Sequence, residues 1–326
     1  MTKLTQPHTE LESLLDLADR TARVLAECRL PGSYGIDDME FLILLGIGLT
    51  IGGVAIALDD DDDEAVDTTG DTITGTEEPD VLTGTELDDT ISGEAGDDAI
   101  AGAEGDDWLR GGGDQDLLSG GAGNDSLAGS LGSDWLQGGE GQDTLLGGYG
   151  NDALNGGEGA DLMEGGEGSD VLSGGLSSEV DDDELEDALD DYLFRSNSRL
   201  NLRFDEIEDD NAADTLYGGA GHDTLVAGAG DVLSGGGGSN DFVTGYWSEA
   251  GNPASVTDFN LDEDQLVYYY DFGETAPELT LESEDNETGG QDAILYADGV
   301  AVMRVADAGG ELTLATHVTM VESYLG

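Results

Sequence analysis

Aspartate recurs in this chain at a fixed spacing that suggests metal chemistry. From residue 71 to residue 170 an aspartate stands at every ninth position, and two places after each comes Ile, Leu or Met. The twelve aspartates are Asp71, Asp80, Asp89, Asp98, Asp107, Asp116, Asp125, Asp134, Asp143, Asp152, Asp161 and Asp170. A solvated acidic surface would have no reason to keep this phase, so we interpret the column as oxygen ligands for cations.

Glycine fills the first half of each nine-residue unit, which follows the pattern G-G-x-G-x-D-x-U-x with U an aliphatic residue. Glycine permits the positive φ of a tight reversal and leaves room for carbonyl oxygens to turn toward an ion. Carboxylate and carbonyl oxygens, without His or Cys, favour Ca²⁺. The turn carbonyls expected to accompany the carboxylates belong to Gly96, Gly105, Gly121, Gly123, Gly132, Gly139, Gly141, Gly148, Gly150, Gly157, Gly159, Gly166, Gly168, Gly219 and Gly221.

Short strands must position these ligands. The three residues around U suffice for a strand with U pointing inward, and the glycines reverse the chain, so two units make one coil of a parallel solenoid. Aspartates eighteen residues apart then stack about 4.7–4.9 Å from each other. Such a column is strongly repulsive unless a cation lies between successive members. We therefore predict that the chain folds when the metal binds.

Units such as "GGAGNDSLA", "GGEGQDTLL" and "GGYGNDALN" resemble the hemolysin-type calcium-binding repeat of RTX proteins. The resemblance covers residues 66–175 and 209–244. It implies a mostly β fold, a parallel β-roll (a nonapeptide-repeat solenoid) that holds a row of Ca²⁺ ions in each line of turns. Twelve aspartates in two lines, with one ion between successive members of each line, would allow at most about ten sites. The family also implies release through a bacterial type I export channel, with the chain unfolded at low cytosolic Ca²⁺.

The units that contain Asp80 and Asp89 depart from the pattern. Threonine replaces the second glycine at Thr76 and Thr85, while Glu78 and Leu87 stand where the third glycine belongs. These two units therefore fit the calcium-binding pattern less well than the later ones. The best run extends from residue 98 to residue 170.

The period stops at an acidic insertion, residues 176–213, and resumes in a second short block, residues 214–244. That block contains one unit that is a residue short and a later unit with an extra glycine. Counting through it predicts four further metal ligands, Asp214, Asp223, Asp231 and Asp241. We expect a main roll over residues 66–175 and a second, shorter roll after the insertion.

Residues 245–326 lose the glycine pattern and alternate polar with apolar residues, as strands do. The dipeptide Asp298-Gly299 is typical of a two-residue hairpin turn between two of these strands. The segment therefore predicts an antiparallel β-rich cap at the C-terminal side of the roll.

Residues 1–38 predict a short N-terminal helical region, residues 39–58 a hydrophobic signal or anchor segment, and residues 59–65 an acidic linker. The uncharged run 41–58 is at the lower length limit for a membrane span, and basic residues before it with acidic ones after it place the later chain outside. The run also fits a signal peptide, a chain that starts at Met39, or a buried helix. We predict an extracellular protein, with anchoring in the cell envelope through residues 41–58 as the alternative.

The charge balance narrows the function classes. Nine Lys and Arg against 75 Asp and Glu give a net charge of −66, which excludes nucleic acid and anionic lipid as partners. No H-E-x-x-H or G-x-S-x-G motif is present, so we predict a protein that is not an enzyme. The predicted function is an exported calcium-binding β-roll with a structural or surface-interaction role. The alternatives are a carbohydrate-binding or accessory module of a secreted enzyme system and, less favoured, a hydrolase with its active site in residues 245–326; no surface or polysaccharide ligand is specified.

Overall fold

A computed structural model describes residues 70–175, 210–248, 252–271 and 273–322. The predictions for the helical region 1–38, the hydrophobic segment 39–58 and the acidic linker 59–65 concern residues outside these ranges, as do those for most of the acidic insertion. Within the described ranges, no helix is long and apolar enough to span a membrane.

Short strands of three to seven residues account for most of the described chain. They are β1 (Thr72–Thr74), β2 (Val81–Thr83), β3 (Thr90–Ser92), β4 (Ala99–Glu104), β5 (Trp108–Gly113), β6 (Leu117–Ala122), β7 (Ser126–Leu131), β8 (Trp135–Glu140), β9 (Thr144–Tyr149), β10 (Ala153–Glu158), β11 (Leu162–Gly168), β12 (Val171–Ser173), β13 (Thr215–Gly221), β14 (Thr224–Val226), β15 (Val232–Gly238), β16 (Asp241–Gly245), β17 (Ala254–Val256), β18 (Gln265–Tyr270), β19 (Leu279–Asp285), β20 (Gln291–Ala297), β21 (Val300–Val305) and β22 (Val318–Glu322). A single turn of helix, α1 (Leu314–His317), precedes β22.

Successive strands from β1 to β18 alternate between two sheets, in which they pair in parallel. One sheet has the order β1-β3-β5-β7-β9-β11-β13-β15-β17-β21-β20-β19, and the other has the order β2-β4-β6-β8-β10-β12-β14-β16-β18-β22. Paired residues in the repeats are one coil apart, as Ile73 opposite Ile91 and Leu82 opposite Ile100 show. The parallel β-roll predicted from the nine-residue period is confirmed.

The insertion does not divide the roll. Strand β11 pairs in parallel with β13, with Met163 opposite Leu216, and β12 pairs with β14, with Leu172 opposite Leu225. The repeats on either side of residues 176–209 therefore stack directly on each other. Sequence analysis expected two rolls, whereas the described residues form one continuous roll.

The core of the roll is one aliphatic side chain per unit, since the neighbouring positions are glycine or point outward. All twelve inward residues of the first block are buried: Ile73, Leu82, Ile91, Ile100, Leu109, Leu118, Leu127, Leu136, Leu145, Leu154, Met163 and Leu172. A single stack of side chains between two sheets is a thin core. Interactions in the turns must therefore supply much of the stability.

The C-terminal segment partly continues the roll. Strand β17 pairs with β21, and β18 with both β16 and β22, all in parallel. Only β19, β20 and β21 are antiparallel, with Asp298 and Gly299 at φ 49° and 82° in the hairpin turn. Arg304 on β21 links the three, because it donates to Asp292 on β20 at 2.9 Å and to Glu284 on β19 at 3.2 Å.

Candidate metal centre

Each line of turns contains a ladder of stacked aspartates. The first ladder is Asp71, Asp89, Asp107, Asp125, Asp143, Asp161, Asp214 and Asp231. The second ladder is Asp80, Asp98, Asp116, Asp134, Asp152, Asp170 and Asp223, followed by Asn240 and Asp264. The backbone N–H of each member donates to Oδ1 of the next, at 2.9 Å from Asp116 to Asp134 for example. Every carboxylate after the first is therefore fixed in orientation by the coil beside it.

The second carboxylate oxygen of most members has no donor. Among the described residues, Oδ2 is buried without a hydrogen-bond partner in Asp98, Asp107, Asp116, Asp125, Asp134, Asp143, Asp152, Asp161, Asp170 and Asp223. A buried acceptor left unsatisfied costs about 1–3 kcal/mol, and more when it is charged. Ten such oxygens in two rows call for a cation as the missing partner.

Glycine at the first position of each turn leaves space beside this oxygen. A Cβ added to Gly138 would lie 2.3 Å from Asp143 Oδ2 and 2.4 Å from the carbonyl oxygen of Gly156. At Gly120 the corresponding distances, to Asp125 Oδ2 and to the Gly138 carbonyl oxygen, are 2.3 and 2.6 Å. A carboxylate oxygen and a carbonyl oxygen of the next coil thus approach one point that only glycine keeps open.

The glycines predicted to offer carbonyl ligands stand at the second and fourth positions of these turns. All fifteen have positive φ: Gly96, Gly105, Gly121, Gly123, Gly132, Gly139, Gly141, Gly148, Gly150, Gly157, Gly159, Gly166, Gly168, Gly219 and Gly221. Glu94, Ala103, Asp114 and Ser130 replace glycine at equivalent positions and still adopt φ between 76° and 95°. The turn shape is therefore kept where the residue type changes.

Side chains alone do not complete a metal site in the described ranges. No group of three or more His, Cys, Asp or Glu side chains lies close enough together there to hold an ion. Successive carboxylates come from different coils, so an ion beside them must take its other ligands from turn carbonyls. This oxygen-only donor set fits Ca²⁺, which accepts six to eight oxygen ligands in flexible geometry.

Burial makes the ladder carboxylates hard to ionise. Desolvation, with a smaller contribution from the neighbouring carboxylates, raises the pKa of Asp116 to about 8, and desolvation raises the pKa of Asp152 to about 7. The bond from the preceding backbone N–H lowers the pKa in each case but does not offset burial. A cation in the turns would reverse this balance, because it favours the charged form.

Without added metal, we expect the folded protein to be more stable at pH 5 than at pH 8. The pKa of Asp116 rises from 3.8 to about 8 on folding, so this group contributes stability below about pH 4 that is lost as the pH rises toward 8. The β-sheet circular dichroism of chelated protein across this range measures the folded fraction. Asp116→Asn should reduce the pH dependence; an identical spectrum at both pH values would contradict the expectation.

Asp241 is not where sequence analysis placed it. Asn240 occupies that rung, because its Oδ1 accepts the N–H of Asp223 at 3.1 Å, while Asp241 begins β16 and is partly exposed. The physical reason is that the inward residue is Phe242, which follows Asn240 by two positions. Sequence analysis also missed Asp264, whose signal is the buried Leu266 two residues later.

Three rungs near the C-terminal end do not need a cation. In two of them a backbone N–H donates to the second carboxylate oxygen, and the third is an asparagine. Oδ2 of Asp231 accepts the N–H of Gly228 at 2.7 Å, and Oδ2 of Asp264 accepts the N–H of Asn260 at 2.8 Å. Asn240 presents a neutral amide. The carboxylates that need a cation therefore lie in the interior of the roll.

Asp210 repairs the turn that the insertion interrupts. Its Oδ2 accepts the N–H of Gly159 at 2.8 Å. One coil earlier, the equivalent N–H of Gly141 donates to the backbone carbonyl of Glu158 at 2.7 Å. A side-chain oxygen thus replaces a backbone oxygen, and the ladder crosses the insertion through the bond from Asp161 to Asp214, also 2.8 Å.

Comparison with known proteins identifies the repeat. The family model "RTX calcium-binding nonapeptide repeat (4 copies)" matches residues 67–100, 74–109, 83–118, 110–145, 119–152, 128–163, 146–177 and 202–232. No curated protein matches the chain. Among solved structures, the extracellular lipase LipA from Serratia marcescens is similar at 16% sequence identity and a TM-score of 0.22, over 74% of this chain and 40% of the lipase. That TM-score is too low to support an argument.

Proposed function

Since residues 67–177 and 202–232 match the RTX calcium-binding nonapeptide repeat, we propose that the chain is an exported, non-catalytic protein of the RTX family whose roll is completed by several Ca²⁺ ions outside the cell. The observation that carries the proposal is the set of buried Oδ2 atoms without protein donors in the two ladders. Each lies beside a glycine whose missing Cβ leaves room for an ion.

The ligands would come from the two lines of turns. In the first ladder, Asp125 and Asp143 would supply carboxylate oxygens to one ion, together with carbonyl oxygens of their glycine turns. Bound Ca²⁺ would neutralise the carboxylates and join neighbouring coils. The backbone bonds to Oδ1 hold each carboxylate in place, so the chain's own part is to orient the ligands and exclude water.

The histidine and tryptophan side chains outside the ladders support a structural or surface-interaction role. His317, one of two histidines in the described ranges, is buried and accepts the N–H of Thr313 on Nδ1 at 2.9 Å, which supports a local structural role. Trp108 and Trp135 belong to opposite sheets, on β5 and β8, so they do not form a single stacking platform for a sugar. Both observations support a non-catalytic protein over a hydrolase or a carbohydrate-binding module.

Export is part of the proposal because the fold depends on the calcium concentration. At low cytosolic Ca²⁺ the ladders would repel and the chain would remain unfolded for translocation. Extracellular Ca²⁺ would then drive folding. A mature chain held in the cell envelope by residues 41–58 is compatible with the same mechanism.

Calcium titration of the purified protein by isothermal calorimetry tests this function. We expect several ions to bind per chain, and Asp143→Asn to lose about one or two of them, because Asp143 stands between two neighbouring rungs. Glu164→Gln removes the same charge from an exposed position on β11 and should keep the full stoichiometry. Absence of binding, or an equal loss in both variants, would reject the proposal.

A further inference from the structure

The turns of the roll are of two kinds. From the turn that ends at Asp98 to the turn that ends at Asp170, the second and fourth positions have positive φ, whether or not they are glycine. In the turns 75–80 and 84–89 neither position does, because no described residue before Glu94 has positive φ. The units of Asp80 and Asp89, in which threonine replaces the second glycine, therefore also have a different backbone.

The two threonines supply a donor that the turns ending at Asp98 to Asp170 lack. The backbone N–H of Thr76 donates to Asp80 Oδ2 at 2.6 Å, and that of Thr85 donates to Asp89 Oδ2 at 2.5 Å. The hydroxyl of Thr85 lies 3.2 Å from the same oxygen. This Oδ2 is the atom left without a protein donor in the rungs from Asp98 to Asp170 and in Asp223.

The threonine hydroxyls also close the turns. Oγ1 of Thr76 accepts the N–H of Glu78, and Oγ1 of Thr85 accepts the N–H of Leu87, both at 3.2 Å. Such bonds from a side chain to the backbone two residues on stabilise a turn without glycine or an ion. Each of these turns therefore supplies a donor to Oδ2 of its own aspartate, although Asp80 Oδ1 is buried without a hydrogen-bond partner among the described residues.

We infer that Thr76 and Thr85 are specificity-determining residues that make the turns 75–80 and 84–89 independent of calcium. The metal-dependent part of the roll then begins with the turn that ends at Asp98. In each ladder, the turn just before this part, ending at Asp80 or Asp89, is closed by protein hydrogen bonds instead of an ion. The inference rests on the proposed function for the turns that follow. The two threonines decide which turns bind calcium and which do not.

Conversion of one threonine turn tests the inference by gain of a site. In Thr85→Gly/Leu87→Gly the hydroxyl beside Asp89 Oδ2 is removed and the second and fourth positions can adopt positive φ, the conformation in which the later turns leave this oxygen without a donor. We expect calorimetry on the full chain to find about one additional Ca²⁺, held between this turn and the turn that ends at Asp107. Glu86→Gly, which adds a glycine at the exposed third position of the same turn, should leave the stoichiometry unchanged.

A loss variant decides the question if the converted turn does not fold. Asp89→Asn should bind as many ions as the unmodified chain but melt at a lower temperature, since its amide would face the N–H of Thr85. Loss of an ion in Asp89→Asn, or no gain in a folded Thr85→Gly/Leu87→Gly variant, would overturn the inference. Absence of calcium binding by the unmodified chain would instead reject the proposed function.

Discussion

Chelation of Ca²⁺ at pH 7.5 should abolish most of the β-sheet circular dichroism of this protein, and added Ca²⁺ should restore it. One site occupied at about 100 times its Kd stabilises a fold by about 2.7 kcal/mol. Several sites together would exceed the total stability of about 5–15 kcal/mol that is typical of a folded protein. The thin core of one aliphatic residue per unit cannot substitute for that contribution.

Hydrogen exchange measured by mass spectrometry would locate the loss. We expect the largest gain in exchange in β4 to β11, where the ladder carboxylates have no protein donor. Strands β19 to β21 should change less, because Arg304 and the buried Leu295 and Met303 hold them. Mg²⁺ at the same concentration should restore little, since it requires octahedral geometry and retains its waters. A spectrum that does not respond to chelation would contradict the calcium dependence.

Gly138→Ala should remove a metal site and destabilise the calcium-bound protein by about 2–4 kcal/mol. The added Cβ would lie 2.3 Å from Asp143 Oδ2 and 2.4 Å from the Gly156 carbonyl oxygen, within the space proposed for the ion. The loss should appear both in the calcium stoichiometry and in the melting temperature. Since neither the carboxylate nor the carbonyl is deleted, the loss of an ion would show that the space beside them is needed for binding.

Gly113→Ala is the matched control for this substitution. Gly113 lies at the end of β5, and a Cβ added there meets no atom within 4 Å. We expect a change in stability within about 0.5 kcal/mol and an unchanged number of bound ions. Equal destabilisation in the two variants, or full stoichiometry in Gly138→Ala, would show that the space beside Asp143 is not the ion's position.

The strands and turns of the roll could be predicted because aspartate, glycine and the inward aliphatic residue keep one phase. The aspartates from Asp71 to Asp231 lie in the ladders for this reason. Counting failed at Asp241, where unit length varies and the inward Phe242, rather than the acid, shows the register. Near the C-terminus the rungs Asn240 and Asp264 are 24 residues apart, so periodicity no longer signals that the roll continues.

The interaction that distinguishes the turns 75–80 and 84–89 could be predicted only in part from the sequence. Threonine at the second position is a departure from the pattern that the sequence shows. Whether its N–H points at the aspartate depends on the backbone conformation, which the sequence does not show. The structure supplies that direction through the short bonds from Thr76 and Thr85 to the aspartates four residues later. The antiparallel hairpin at Asp298-Gly299, by contrast, follows from local turn chemistry alone and is confirmed.

The continuous pairing across residues 176–209 means that the length of a turn is not part of the architecture. Neighbouring rungs are 18 residues apart at Asp143 and Asp161 but 53 apart at Asp161 and Asp214, and the additional 53 − 18 = 35 residues shift no pairing. Closing a flexible loop costs only about 0.6 kcal/mol more for each doubling of its length. Because Asp210 restores the missing acceptor, the register of the roll is independent of the length and the sequence of the segment 176–209, and that segment can diverge while the pairing of the coils on either side stays the same.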